Sequence, residues 1–86
     1  MTRLFVGGLP YSITEDDLAR IFGEYGPVRE TTLIMDKETG RSRGFGFVEF
    51  ESDLDALKAE EALDQSKLES RSISVREAQP RRRKDA

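Results

Sequence analysis

The side chains able to do chemistry in this sequence are arginines, carboxylates and phenylalanines, because the 86 residues contain no histidine and no cysteine. The commonest general base and the two commonest zinc ligands are therefore absent. Paired carboxylates such as Glu60 and Glu61 lie in one helical stretch and read as solvated. No nucleophile, acid–base pair or metal-ligand set emerges, so neither catalysis nor a cofactor is expected. What remains is non-covalent. Phe5, Phe45 and Phe47 offer flat aromatic faces, with Arg3, Arg43 and Arg76 close to them in the strand-like segments. Such a set can stack planar rings and neutralise anions.

Elements must position these groups. Residues 3–8 alternate as a first strand. Thr14 is a good N-cap with Asp17 in a capping-box position, Ile13 and Leu18 flank it as a hydrophobic staple, and Glu15, Asp16 and Asp17 suit the positive end of the helix dipole. Leu18, Ile21, Phe22 and Tyr25 recur at helical spacing until Gly26-Pro27 stops the helix. Residues 31–35 read as a second strand, 36–42 as a polar connection and 43–50 as a third strand. Ser52 caps a second helix that runs to about Leu63. Leu68 falls on a loop, and residues 72–76 alternate as a fourth strand. The order β-α-β-β-α-β predicts an α+β, ferredoxin-like fold: a four-stranded antiparallel sheet with two helices on one face. The other face is left uncovered. Residues 1–79 form the single expected domain, and 80–86 a basic, frayed tail.

Alternation assigns the faces. In the third strand Gly44, Gly46, Val48 and Phe50 share the core side, where the glycines would let a helix approach closely. Arg43, Phe45, Phe47 and Glu49 share the other. Leu4 and Val6 point inward while Arg3, Phe5 and Gly7 point outward. Ile73 and Val75 face in, against Ser72, Ser74 and Arg76. Leu33 faces in, against Thr32 and Ile34. Three aromatics on an open sheet face would invite aggregation unless that face binds something. Unpaired nucleic-acid bases fit, because each stacks on an aromatic ring for about 1–3 kcal/mol. The competing reading buries Phe45 and Phe47 in a sheet covered on both sides, but there is no third helix to do the covering.

The net charge of −3 argues against coating nucleic acid by bulk electrostatics. The distribution says more. Acids crowd the two helices, and bases gather in the strands, the loops and the run Arg81-Arg82-Arg83-Lys84. That run reads equally as a phosphate grip and as a solvated tail. Gly7-Gly8 and Gly44-Phe45-Gly46 are not phosphate loops, since no helix follows them. No apolar run approaches the length of a membrane span, and no signal peptide opens the chain. A monomer in the cytoplasm, or in the nucleus of a eukaryote, is expected.

The segment Arg43-Gly44-Phe45-Gly46-Phe47-Val48-Glu49-Phe50 resembles the octamer of RNA-recognition-motif domains at all eight positions, and residues 4–9 resemble the family's hexamer. The likeness extends from about Arg3 to Ala78. It is similar to the small cyanobacterial RNA-binding proteins and to the domain of glycine-rich and cold-inducible RNA-binding proteins. The resemblance implies roles. Phe5 and Phe47 each stack one base, Phe45 packs between two sugars, and Arg43 pairs with a phosphate. Groups around Glu77, Ala78 and Gln79 read base edges, and Arg76, Thr32 and Ile34 tune preference, with Arg3 on the same face. The implied partner is single-stranded RNA, with single-stranded DNA left open. The chain departs from the family's pattern at Gly8, Asp64-Gln65, Ser70 and Glu60. At Glu60 a buried carboxylate would be costly unless Leu57 fills the site or the Glu60 stem reaches water. The alternatives are a protein-interaction module on the same fold, against which the three aromatics argue, and, far behind, a small enzyme.

Overall fold

The computed structural model describes residues 2–68 and 71–78. Ser70, Gln79 and the segment 80–86, on which expectations were placed above, lie outside the described residues. The elements run β1 (Thr2–Gly7), α1 (Glu15–Gly23), β2 (Val28–Met35), β3 (Ser42–Phe50), α2 (Asp53–Leu63), β4 (Lys67–Leu68), β5 (Arg71–Ser72) and β6 (Ser74–Glu77). β2, β3, β1 and β6 lie in that order in one four-stranded sheet, and all its pairings are antiparallel. Both helices pack on the same face of it. The expected ferredoxin-like α+β fold is therefore present.

Each helix starts where its side chains can satisfy free amides. The Thr14 hydroxyl accepts from the Asp17 amide at 3.1 Å, and the Asp17 carboxylate accepts from the Thr14 amide at 3.1 Å, a reciprocal capping box. That amide bond, aided by the Arg20 guanidinium at 2.6 Å, holds the Asp17 carboxyl below its ordinary range. Ser52 accepts from the Asp55 amide at 3.3 Å at the start of α2. α1 buries Leu18 and Phe22. α2 buries only Ala56 and Ala59, whose small side chains let it sit close to the sheet, and Leu54 and Leu57 stay exposed. Glu60 is half-buried while Leu57 is outside, so Leu57 does not fill the inward site and Glu60 stays partly in contact with water. No helix among the described residues is long and apolar enough to cross a membrane.

Four expectations need correction. β2 begins at Val28, three residues early, because Val28 pairs with Phe50 across a bulge that the polar pair Arg29-Glu30 hides. α1 ends at Gly23, before Tyr25 and Gly26-Pro27, and the Tyr25 amide reaches back to the Phe22 carbonyl at 3.1 Å. Leu68 is not on a loop: it pairs with Arg71 in the two-stranded β4–β5 ribbon, which also removes Ser72 from the fourth strand of the main sheet. The glycine of β3 at position 46 makes room for a strand, not a helix, since a Cβ there would run into the Thr32 carbonyl of β2.

β2 is an edge strand, and its free side is partly covered. The Glu15 carboxylate accepts from the Leu33 amide at 2.9 Å, so α1 occupies a group that another strand could otherwise pair with.

Candidate nucleic-acid interface

The register of the sheet decides which side chains share its uncovered face. Directly paired residues point the same way. Thr32 pairs with Phe47, Phe47 with Phe5, and Phe5 with Arg76, so these four form one row across β2, β3, β1 and β6. On one side of that row, Glu49 pairs with Glu30 and with Arg3. On the other side, Phe45 pairs with Gly7, and Gly7 with Ser74. Leu4, Val6, Val48, Phe50, Leu33, Ile73 and Val75 are buried on the opposite face. The faces that alternation gives the three phenylalanines and the core residues are those of the structure, whereas Gly44, expected on the core side, turns at φ +87° toward the Leu9 carbonyl and the Tyr11 ring, and Ser72 lies in the β4–β5 ribbon.

The three rings form a compact group. Phe5 lies 5.7 Å from Phe45, tilted by 37°, and 5.8 Å from Phe47 in an edge-on arrangement. All three are half-buried by one another and by the sheet, which leaves part of each ring in solvent. Gly7 makes the Phe5–Phe45 approach possible, because a Cβ at that position would sit 3.0 Å from the Phe5 ring. The Arg3 guanidinium carbon stands 4.9 Å from the centroid of Phe47. An exposed cation–π contact of that kind is worth about 0.5–1 kcal/mol, so an incoming ring would displace Arg3 at modest expense.

Charge on this face is mixed. Arg3, Arg43 and Arg76 are exposed cations. Glu49 opposes them, but Arg29 lies 3.8 Å from its carboxylate and offsets part of its charge. The helix acids sit on the far side of the sheet, so their repulsion of an anion bound here passes through the domain's thickness.

Two of the expected site residues, Glu77 and Ala78, lie at the end of β6 and just after it. Glu77 pairs with Leu4, which points into the core, so its side chain starts out on the helix side of the sheet, away from the rings. The Ala78 amide is already used, donating to the Arg3 carbonyl at 2.7 Å. Ile34 is half-buried at the irregularity between Leu33 and Met35, on the Thr32 side by alternation.

One region was missed. A groove of about 670 Å³ runs from Phe5 and Phe45 past Arg43 and Arg76 to Tyr11 and Arg71. Tyr11 has no place in the expectations above. Its signal was available: an aromatic in a polar turn, outside any helical or strand spacing, two residues past the hexamer.

The sequence profile of a family described as the RNA recognition motif matches residues 4–74. RbpE of Nostoc sp. is 48% identical over 83 residues, which cover 96% of this chain and 84% of RbpE. The crystal structure of the RNA binding protein PG1 superposes with a TM-score of 0.90 at 42% identity, covering 96% of this chain and 100% of PG1. The Sxl-lethal protein/RNA complex superposes with a TM-score of 0.86 at 42% identity, covering 90% of this chain and 47% of that one.

Proposed function

This chain belongs to the RNA recognition motif family, and from that premise we propose that it binds single-stranded RNA across the uncovered face of its sheet. Its part is post-transcriptional, with residues 1–79 as the binding unit and no catalytic step. The observation that carries the reading is the row Thr32–Phe47–Phe5–Arg76, which sets two partly exposed rings side by side in the middle of a face that no helix among the described residues covers. Phe5 and Phe47 each take one base. Phe45, beside Phe5, packs against sugar. Arg43 and Arg76 meet phosphates, Arg3 leaves the Phe47 ring to do the same, and Thr32 and Ile34 border the Phe47 base. Main-chain groups at Ala78 and Gln79 read a base edge.

The aromatic group also favours RNA over a protein partner as the ligand. The rings lie side by side on the sheet with arginines around them, which suits bases joined by phosphates.

Two stacks supply about 2–6 kcal/mol. Hydrogen bonds and phosphate contacts offset the cost of ordering the strand. Binding of two to four nucleotides is therefore expected at a Kd near 1 µM, or about −8 kcal/mol. With about two phosphates neutralised, log K falls against log salt with a slope of about −1.4. Anisotropy of a labelled random RNA octamer, titrated at several salt concentrations, measures both quantities. A slope steeper than about −4 would mean that the Arg81–Lys84 run, and not the sheet, dominates the binding.

A further inference from the structure

We infer that Tyr11 is a third base platform, which extends the RNA path off the end of β1 and over the loop before α1. The inference rests on the RNA-binding reading above.

Tyr11 is 62% exposed, an unusual state for a large aromatic in a folded domain. It is nevertheless held in place. The Leu9 amide donates to the Gly44 carbonyl at 2.8 Å and pins the loop to β3. Gly44 has φ +87°, and a Cβ there would lie 3.7 Å from the Tyr11 ring. The octamer's first glycine thus bends the strand where glycine alone bends easily and gives the Tyr11 ring a seat beside it. That seat is one residue from Phe45, so the ring continues the aromatic track of the sheet.

The surroundings repeat those of Phe47. The Arg71 guanidinium carbon stands 5.5 Å from the Tyr11 centroid, as Arg3 stands 4.9 Å from that of Phe47. In both places a ring open to solvent, half-buried at Phe47 and exposed at Tyr11, carries an arginine, which can swing to a phosphate when a base takes the ring. Arg43 lines the groove beside Tyr11, and it also lines, with Arg41 and Asp36, a second depression of about 320 Å³ that Tyr11 borders. An exposed ring with Arg43 and Arg71 beside it fits one planar base and its phosphate.

The chain has two tyrosines and no tryptophan, which makes the test direct. Tyr25, half-buried against the core, is replaced by Phe so that Tyr11 is the one remaining tyrosine. Random single-stranded RNA octamers and dinucleotides are then titrated, following tyrosine fluorescence and amide shifts. The octamer should quench Tyr11. Tyr11→Leu should weaken octamer binding by about 5- to 150-fold, the span of one stack, while Tyr11→Phe keeps the native affinity. The dinucleotide, too short to reach Tyr11 from the Phe5–Phe47 row, measures that row alone and should bind Tyr11→Leu as it binds the parent. Native octamer affinity in Tyr11→Leu, or equal loss for both ligands, overturns the third platform. Absence of dinucleotide-induced shifts at Phe5 and Phe47 in the parent overturns instead the RNA-binding reading on which it rests.

Discussion

Replacing both Phe5 and Phe47 with alanine removes about 2–6 kcal/mol of RNA-binding free energy and leaves the domain folded. A micromolar complex then becomes too weak to detect in an ordinary titration, and Phe47→Ala alone loses about 1–3 kcal/mol. The asymmetry between binding and folding follows from the face these rings occupy. They are half-buried, and the ring contacts they make are with one another at 5.8 Å, with Phe45 at 5.7 Å from Phe5, and with Arg3. Losing an edge-on aromatic pair costs the fold only about 0.5–1.5 kcal/mol beyond lost area. Binding loses the whole platform. Isothermal titration with a random RNA octamer, beside a urea melt of the same protein, separates the two quantities. Unfolding of the double variant would show that the rings are core residues and that the face assignment is wrong.

Phe50→Ala gives the opposite pattern. It lowers stability by about 3–5 kcal/mol. Phe50 is fully buried, its ring 6.3 Å from Phe22 of α1, so truncation opens a cavity between sheet and helix. Domains are stable by about 5–15 kcal/mol, and one this small has a thin core, so the variant stands close to its unfolding midpoint. A shift of the urea midpoint at constant slope would measure the effect. Positions 47 and 50 lie on one strand, three residues apart, and differ only in which way they point. The pair therefore tests the sheet's two-sidedness directly.

Much of this was legible in the sequence because strand alternation is a local property. Phe5 and Phe47 could be assigned to one face and Leu4, Val48 and Phe50 to the other without knowing which strands pair. The Thr14–Asp17 box was legible for the same reason: its residues are three apart. What escaped depends on distant contacts. The β4–β5 ribbon exists because the Ile73 amide and carbonyl bond to Ser66 and Gln65, at 2.9 and 2.8 Å, and because Gln65 adopts φ +68° at the turn after α2. The Asp64 carboxylate helps by accepting from the Val75 amide at 2.9 Å. None of these pairings has a periodic signature. Tyr11 escaped because its seat is made by Gly44, more than thirty residues away. The direction of the Glu77 side chain follows from the alternation that turns Val75 inward and Arg76 outward, and its pairing with Leu4 agrees.

The central claim is that the sheet face, and not the charged tail, receives RNA. An NMR titration of labelled protein with a random single-stranded RNA octamer at moderate salt tests it most directly. The account predicts shifts concentrated at Phe5, Phe45, Phe47 and Ala78, with Arg76 and Thr32 following. Shifts confined to Arg81–Lys84, or no shifts at all, would contradict it and turn the search toward a protein partner.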